Sequence, residues 1–200
     1  MNHSSVTHLV EFCGNTIETT VTHKASVADD WVRNIRSKSN GPKIIFGFDC
    51  KYNPHPIESM SNKVALIQLC VETKCLILQL SYMYNIPQSI WNLLSDSNNT
   101  FVGVQIEETA KKLRNEYGIS FCRSLDLRSL VKTWFPISYK GRPSLKALAY
   151  GVAGLGMRRN SKKIWSSDWE FRVLDEDMVQ CACVDAYASY RIAHMLLKEM

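Results

Sequence analysis

An α/β fold, with a mixed sheet flanked by helices, is what the amino-acid sequence predicts. Apolar runs of strand length at residues 43–49, 63–71 and 74–80 follow one another and imply an antiparallel meander. A helix, a strand and a second helix come next, and the remainder is helical, so helices must pack on the faces of the sheet. No internal repeat, linker or low-complexity segment is visible, and the chain reads as one domain over residues 1–200.

"HLVEF" and "TIETTVT" alternate apolar and polar positions and flank Gly14–Asn15, which marks two strands joined by a tight turn. "SVADDWVRNIRSKS" reads as a helix capped by Ser26 or a neighbour. Val27, Trp31 and Ile35 lie four residues apart, and basic residues fill the last turn, where the helix dipole favours them. "SNGP" closes it. The runs "KIIFGFD", "KVALIQLCV" and "KCLILQL" are the meander, the last two separated by a polar turn at "ETK". "SIWNLLS" is a short helix and "TFVGVQI" a fourth strand of this type, entering a helix "EETAKKLRNEYG" that Gly118 stops. "RSLVKTWF", "SLKALAYGVAG" with Ser144 as cap, and a long final helix from about Asp175 complete the chain.

At 46% apolar residues, 200 residues suffice for one substantial core. No apolar run reaches about 18 residues, and the N-terminus lacks a basic segment followed by an apolar one. A cytoplasmic or nuclear protein without a membrane partner is therefore expected. The seven cysteines are odd in number, sit mostly in apolar runs and form no CxxC pair, which favours reduced, mostly buried thiols. The net charge of +5 is a mild bias toward anionic partners.

Cleavage of phosphodiesters with two metal ions needs acidic side chains converging at one edge of a sheet, with the ions about 3.5–4 Å apart. A strand ending Asp-x-Glu supplies two carboxylates on one face, because side chains i and i+2 of a strand point the same way. "IIFGFDCKYNP" ends its apolar run in Asp49, but the second position holds Lys51. Asp185 stands on the final helix, within "VDAYASYRI". Taken alone, either Asp reads more readily as a surface or helix-face charge, because exposed Asp is the norm; the order of the surrounding segments is what argues otherwise.

"FGFDCKYNP", "VALIQLCVETKCLILQL", "FVGVQIEETAKKLRNEYGI" and the last third of the chain occur in an order that resembles the Werner-syndrome-type 3′–5′ exonuclease domain. That group belongs to the DEDD exonucleases of the ribonuclease-H-like (DnaQ-like) fold. "HLVEFCGNTIETTVT" is similar to plant members, including the RISC-interacting clearing exoribonucleases. The resemblance implies a 3′–5′ exonuclease using Mg²⁺ or Mn²⁺ on single-stranded RNA or DNA, with RNA favoured by the likeness to the clearing enzymes. It also implies a homo-oligomer, a hexamer in the clearing enzymes, and contact with RNA-silencing proteins. The four-acid pattern is incomplete: Lys51 stands where the family has Glu, Thr109 where it has Asp, and Cys181 where it has Tyr, while Asp49 and Asp185 remain.

Three readings follow. The chain is a pseudo-enzyme that keeps the nucleic-acid groove, since two carboxylates and an ammonium make a poor host for two divalent ions. Alternatively, Lys51 takes over part of a metal's electrostatic role, with one ion on Asp49 and Asp185. One helix residue turns a side chain by about 100°, so a modest rotation would bring Glu108 in. Or a neighbouring subunit supplies the missing groups. The plainest alternative for Lys51 is a local ion pair with Asp49. The expectation adopted is a metal-assisted exonuclease on Asp49 and Asp185, helped by Lys51 and Glu108. A degenerate module that binds nucleic acid or serves as a scaffold is the alternative.

Between Asp126 and Asp168 no acidic residue occurs, while Lys140, Arg142, Arg158, Arg159, Lys162 and Lys163 all fall there. One sign of charge over this length suits a phosphate backbone. Trp134, Phe135, Tyr139 and Trp165 are interleaved, to stack on unpaired bases or to fill the core. "RRNSKK" suits an exposed phosphate-binding loop or a nuclear-import patch. The five histidines show no metal spacing, and "GVAGLG" ends a helix where a dinucleotide loop would begin one.

Overall fold

The computed structural model describes residues 5–39, 41–57, 60–136, 138, 141–158 and 168–198. The alternating N-terminal residues form an antiparallel hairpin of β1 (Ser5–Phe12) and β2 (Asn15–Thr22). Its turn lies on Cys13 and Gly14, at φ of 48° and 76°, one residue earlier than expected. A two-residue turn of this hand needs positive φ at both central positions, and Asn15 already pairs with Phe12. Helix α1 (Ala25–Lys38) buries Ala28, Trp31, Val32 and Ile35. Ser26 lies exposed inside its first turn and does not cap it; Lys24 is the N-cap residue and donates its own N–H to Thr22 Oγ1 at 3.0 Å.

Strands β3 (Ile44–Lys51), β4 (Leu66–Val71) and β5 (Lys74–Gln79) form the expected antiparallel meander. Only the β4–β5 turn is tight. β4 begins at Leu66 because the preceding backbone is taken by the later helix α3 (Ile106–Tyr117). Glu116 Oε2 accepts the Val64 N–H at 2.8 Å and the Tyr117 hydroxyl donates to the Val64 carbonyl at 2.6 Å. Helix α2 (Gln88–Ser95) leads to β6 (Asn99–Gly103), which runs parallel to β3. The expected strand through Ile106 stops at Gly103, because Gln105 turns the chain into α3 with φ 57°.

The three-residue β7 (Ser124–Asp126) adds a parallel edge that residue patterning did not reveal. It feeds α4 (Leu127–Trp134), where Asp126 accepts the Arg128 N–H. Ser144 caps α5 (Leu145–Ala153) as expected, and α6 (Glu176–Lys198) closes the fold.

The sheet order is β1-β2-β5-β4-β3-β6-β7, with β2 and β5 parallel. Its central strands are buried on both faces, so alternate side chains enter two cores. Phe46, Phe48, Leu69 and Phe101 pack with α1, α2 and α3. Leu66, Ile77 and Val102 pack with α4, α5 and α6. Helix α6 crosses β3 at Gly47, where a Cβ would overlap the Ala186 carbonyl oxygen and crowd the Tyr190 nitrogen. Only a glycine allows this approach, and it brings the middle of α6 onto the C-terminal end of β3.

Candidate functional site

Gly47, Asp49 and Lys51 are spaced by two along β3 and share the face that α6 covers. Asp185, beside Ala186 on α6, meets them there. The Lys51 ammonium donates to Asp49 Oδ2 at 2.6 Å and also to Asp185 Oδ2, bridging the strand and the helix. The side chains of Lys51 and Asp185 are each 15% exposed, and that of Asp49 is 29% exposed. Burial pulls the Lys51 ammonium down, but the Asp185 and Asp49 carboxylates outweigh it and hold the group well above its ordinary range. Burial pushes the Asp185 carboxyl up and Asp49 adds to this, against the pull of Lys51. At neutral pH the ammonium stays charged.

A second layer closes over the three. The Trp169 ring centre lies 5.8 Å from Lys51 Nζ, within cation–π reach. Asn53, just beyond β3, holds it there: its Oδ1 accepts the Trp169 backbone N–H at 2.7 Å and its Nδ2 donates to Asp168 Oδ1 at 2.6 Å. Directly across from Asp49 on β4 is Gln68, wholly buried, with neither amide atom hydrogen-bonded among the described residues. Cys181, one helical turn before Asp185, has its Sγ 4.0 Å from Asp185 Oδ2.

The remaining expected residues are placed as follows. Cys50 points to the opposite face of β3, beside Thr109; burial, with the Asp49 charge adding, pushes its thiol up to about 12. Glu108 is exposed on the first turn of α3, and no hydrogen bond or ion pair among the described residues joins it to the Asp49–Lys51–Asp185 trio. Arg142 and Arg158 are exposed on either side of α5. Lys140, Arg159, Lys162 and Lys163, with Tyr139 and Trp165, lie outside the described residues. Trp134 packs half-buried against the α4–α6 core. Sequence reasoning missed Trp169, Asn53 and Gln68. Their contacts depend on register and long-range approach, and only the glycine inside "FGFD" signalled a close backbone crossing.

The profile of the 3′–5′ exonuclease family matches residues 19–200. The chain belongs to that family. It is 29% identical over 167 residues to a 3′–5′ exonuclease of Drosophila virilis, covering 82% of this chain and 50% of that protein. A 3′–5′ exonuclease of Arabidopsis thaliana is 28% identical over 155 residues, 77% and 52% of the two chains. The mouse bifunctional 3′–5′ exonuclease/ATP-dependent helicase WRN is 31% identical over 160 residues, 76% and 11%. The chain spans about half the length of the Drosophila and Arabidopsis relatives. Among solved structures, the EXD2 exonuclease domain soaked in Mg and GMP matches with a TM-score of 0.52 at 25% identity, covering 90% of this chain and 88% of that one. Trypanosoma brucei RNase D has a TM-score of 0.73 at 13% identity, covering 90% and 64%, which shows a common fold.

Exonucleases of this family use divalent metals, so the donor set matters. Asp49 and Asp185 are brought together as expected of ligands, but one oxygen of each already accepts from Lys51. The trio carries about one negative charge, against the larger acidic set that two divalent ions require. No cluster of three or more His, Cys, Asp or Glu arranged for a metal occurs among the described residues. The residues do not fit a two-ion centre.

Proposed function

We propose that the chain is a nucleic-acid-binding domain of the 3′–5′ exonuclease family that takes the 3′ end of a single strand, RNA ahead of DNA, and whose hydrolytic step is suppressed. The observation that carries this reading is the Lys51 ammonium bonded to both Asp49 and Asp185, at the position that the resemblance assigns to the family's chemistry. Exposed Arg142 and Arg158 support a surface that tracks phosphates. The preference for RNA, and assembly with further copies, rest on the resemblance to the clearing exoribonucleases. A second reading, slow cleavage with one Mg²⁺ or Mn²⁺ on Asp49 and Asp185, is favoured by the 29% exposure of Asp49, which leaves part of its carboxylate open to solvent.

The test is an end-labelled strand, RNA and DNA in parallel, incubated with Mg²⁺, Mn²⁺ or EDTA and run both for shift and for degradation. A shifted, intact strand in every condition is the expected result. A metal-dependent ladder from the 3′ end that Asp49→Ala abolishes would replace this reading with the second. Absence of any shift from folded protein would remove both.

A further inference from the structure

We propose that Lys51 is a resident cation of this fold: its tethered ammonium holds Asp49 on β3 and Asp185 on α6 together, so that the site assembles without any dissociable metal ion. The family's usual ions are exchangeable, and this chain departs from it in a way that its packing explains.

Two carboxylates on different elements relieve their repulsion by moving apart or by taking a proton. Movement is blocked here. At Gly47 the α6 backbone rests on the β3 backbone with no room for a methyl group, and Ala186, which makes that contact, is the neighbour of Asp185. The contact fixes Asp185 over Asp49, two residues along β3. A positive charge between them becomes a condition of docking α6, the longest helix of the fold. Lys51 supplies it from the same strand face, joining residues 134 positions apart in sequence. Trp169 lies over the ammonium, held by Asn53, so the second layer is built around the cation as well. Unlike a bound ion, a tethered ammonium cannot be chelated or diluted away.

This reading rests on the same site as the proposed function, yet strand binding plays no part in its test. Thermal unfolding is measured in EDTA and with millimolar Mg²⁺, Mn²⁺ or Ca²⁺ for the wild type, Lys51→Met, and Lys51→Met combined with Asp49→Asn. The wild-type Tm should not respond to divalent ions. Lys51→Met should melt lower in EDTA and recover by about 5 °C or more once an ion exceeds its Kd a hundredfold, since a ligand that binds only the folded state raises Tm. The double variant, with one carboxylate neutralised, should lose less and respond less, and it decides the matter if Lys51→Met fails to fold. A saturable rise in the wild-type Tm, or a double variant that melts below a folded Lys51→Met, would overturn the proposal. So would the lack of any divalent response in a folded Lys51→Met. Each of these leaves single-strand binding itself untouched, and a saturable rise in the wild-type Tm would favour the one-ion cleavage reading; a failed gel shift would in turn leave the resident cation standing.

Discussion

A double-mutant cycle between Lys51 and Asp185 probes the trio most directly. At 2.6 Å from Asp49, the ammonium gains at most about 6 kcal/mol of Coulomb attraction at an effective dielectric near 20, and its desolvation offsets several kcal/mol of this. Removing one partner of a buried pair typically costs about 3–5 kcal/mol. Asp49 keeps 29% of its surface in water, so the low end, about 3 kcal/mol, is expected for Lys51→Met. That loss corresponds to a fall in Tm of roughly 6–12 °C for a chain of this size. Asp185→Asn leaves Lys51 with Asp49 and should cost about 1–2 kcal/mol. Once the ammonium is gone, the same change relieves a repulsion. The double variant should therefore fall short of the sum by about 2 kcal/mol in urea unfolding, and additivity within about 0.5 kcal/mol would refute the coupling. Lys51 is held above its ordinary value of 10.5, so its contribution is complete below that pH and vanishes only as pH rises through the higher folded value. The cost of Lys51→Met should accordingly stay level from about pH 6 to pH 9.

Other positions give independent checks. Gln68→Met removes two buried polar atoms that have no partner among the described residues, at similar volume, and should stabilise the fold by about 1–3 kcal/mol; a loss of stability in urea would show that the amide is hydrogen-bonded through buried water. In native protein, mass spectrometry after brief alkylation should find exposed Cys13 and Cys122 labelled first, with Cys50, pushed up to about 12, protected. Equal labelling of Cys50 would contradict its burial. Arg142→Gln with Arg158→Gln should weaken single-strand binding and lower the slope of log K against log salt by about 1.4, two phosphate contacts at about 0.7 each; an unchanged slope would exclude both from the strand path.

How much of this was legible in the sequence depended on range. The meander could be read because its strands are short, mostly apolar runs, and α3 and α5 because Gly118 and Ser144 mark their ends. β7 is too short to leave a pattern, and its place follows from pairing with β6. The β3–β4 connection looked like strand at Val64 because Val64 and Ala65 are fully buried, yet the Val64 backbone bonds to α3 rather than to a neighbouring strand. At the site, the shared face of Asp49 and Lys51 follows from a spacing of two, which is local. That Asp185 joins them depends on one glycine and a helix far along the chain. Trp169, Asn53 and Gln68 left no local signal because each acts through a contact that only the folded register creates.

In the alignment that the resemblance implies, the departures from the four-acid pattern nearly compensate one another in charge. In that pattern, as the resemblance implies it, four carboxylates face two divalent ions and the charges cancel. Lys51 in place of Glu and Thr109 in place of Asp raise the protein's own charge by about three units, while omitting two divalent ions removes about four. The balance moves by about one unit, a shift that a partly exposed Asp49 can tolerate. Thr109 lies beside the Cys50 thiol, and its neighbourhood lowers the thiol against the larger upward push of burial. Lys51→Glu would break this compensation by adding a third carboxylate and removing the cation that held the first two. In EDTA it should melt below Lys51→Met, by about 1 kcal/mol or more in stability, because close like charges in a partly buried site repel at least that strongly. Mg²⁺ should close the gap. Equal melting of the two variants in EDTA would mean that water, rather than Lys51, balances the charge at the β3–α6 crossing.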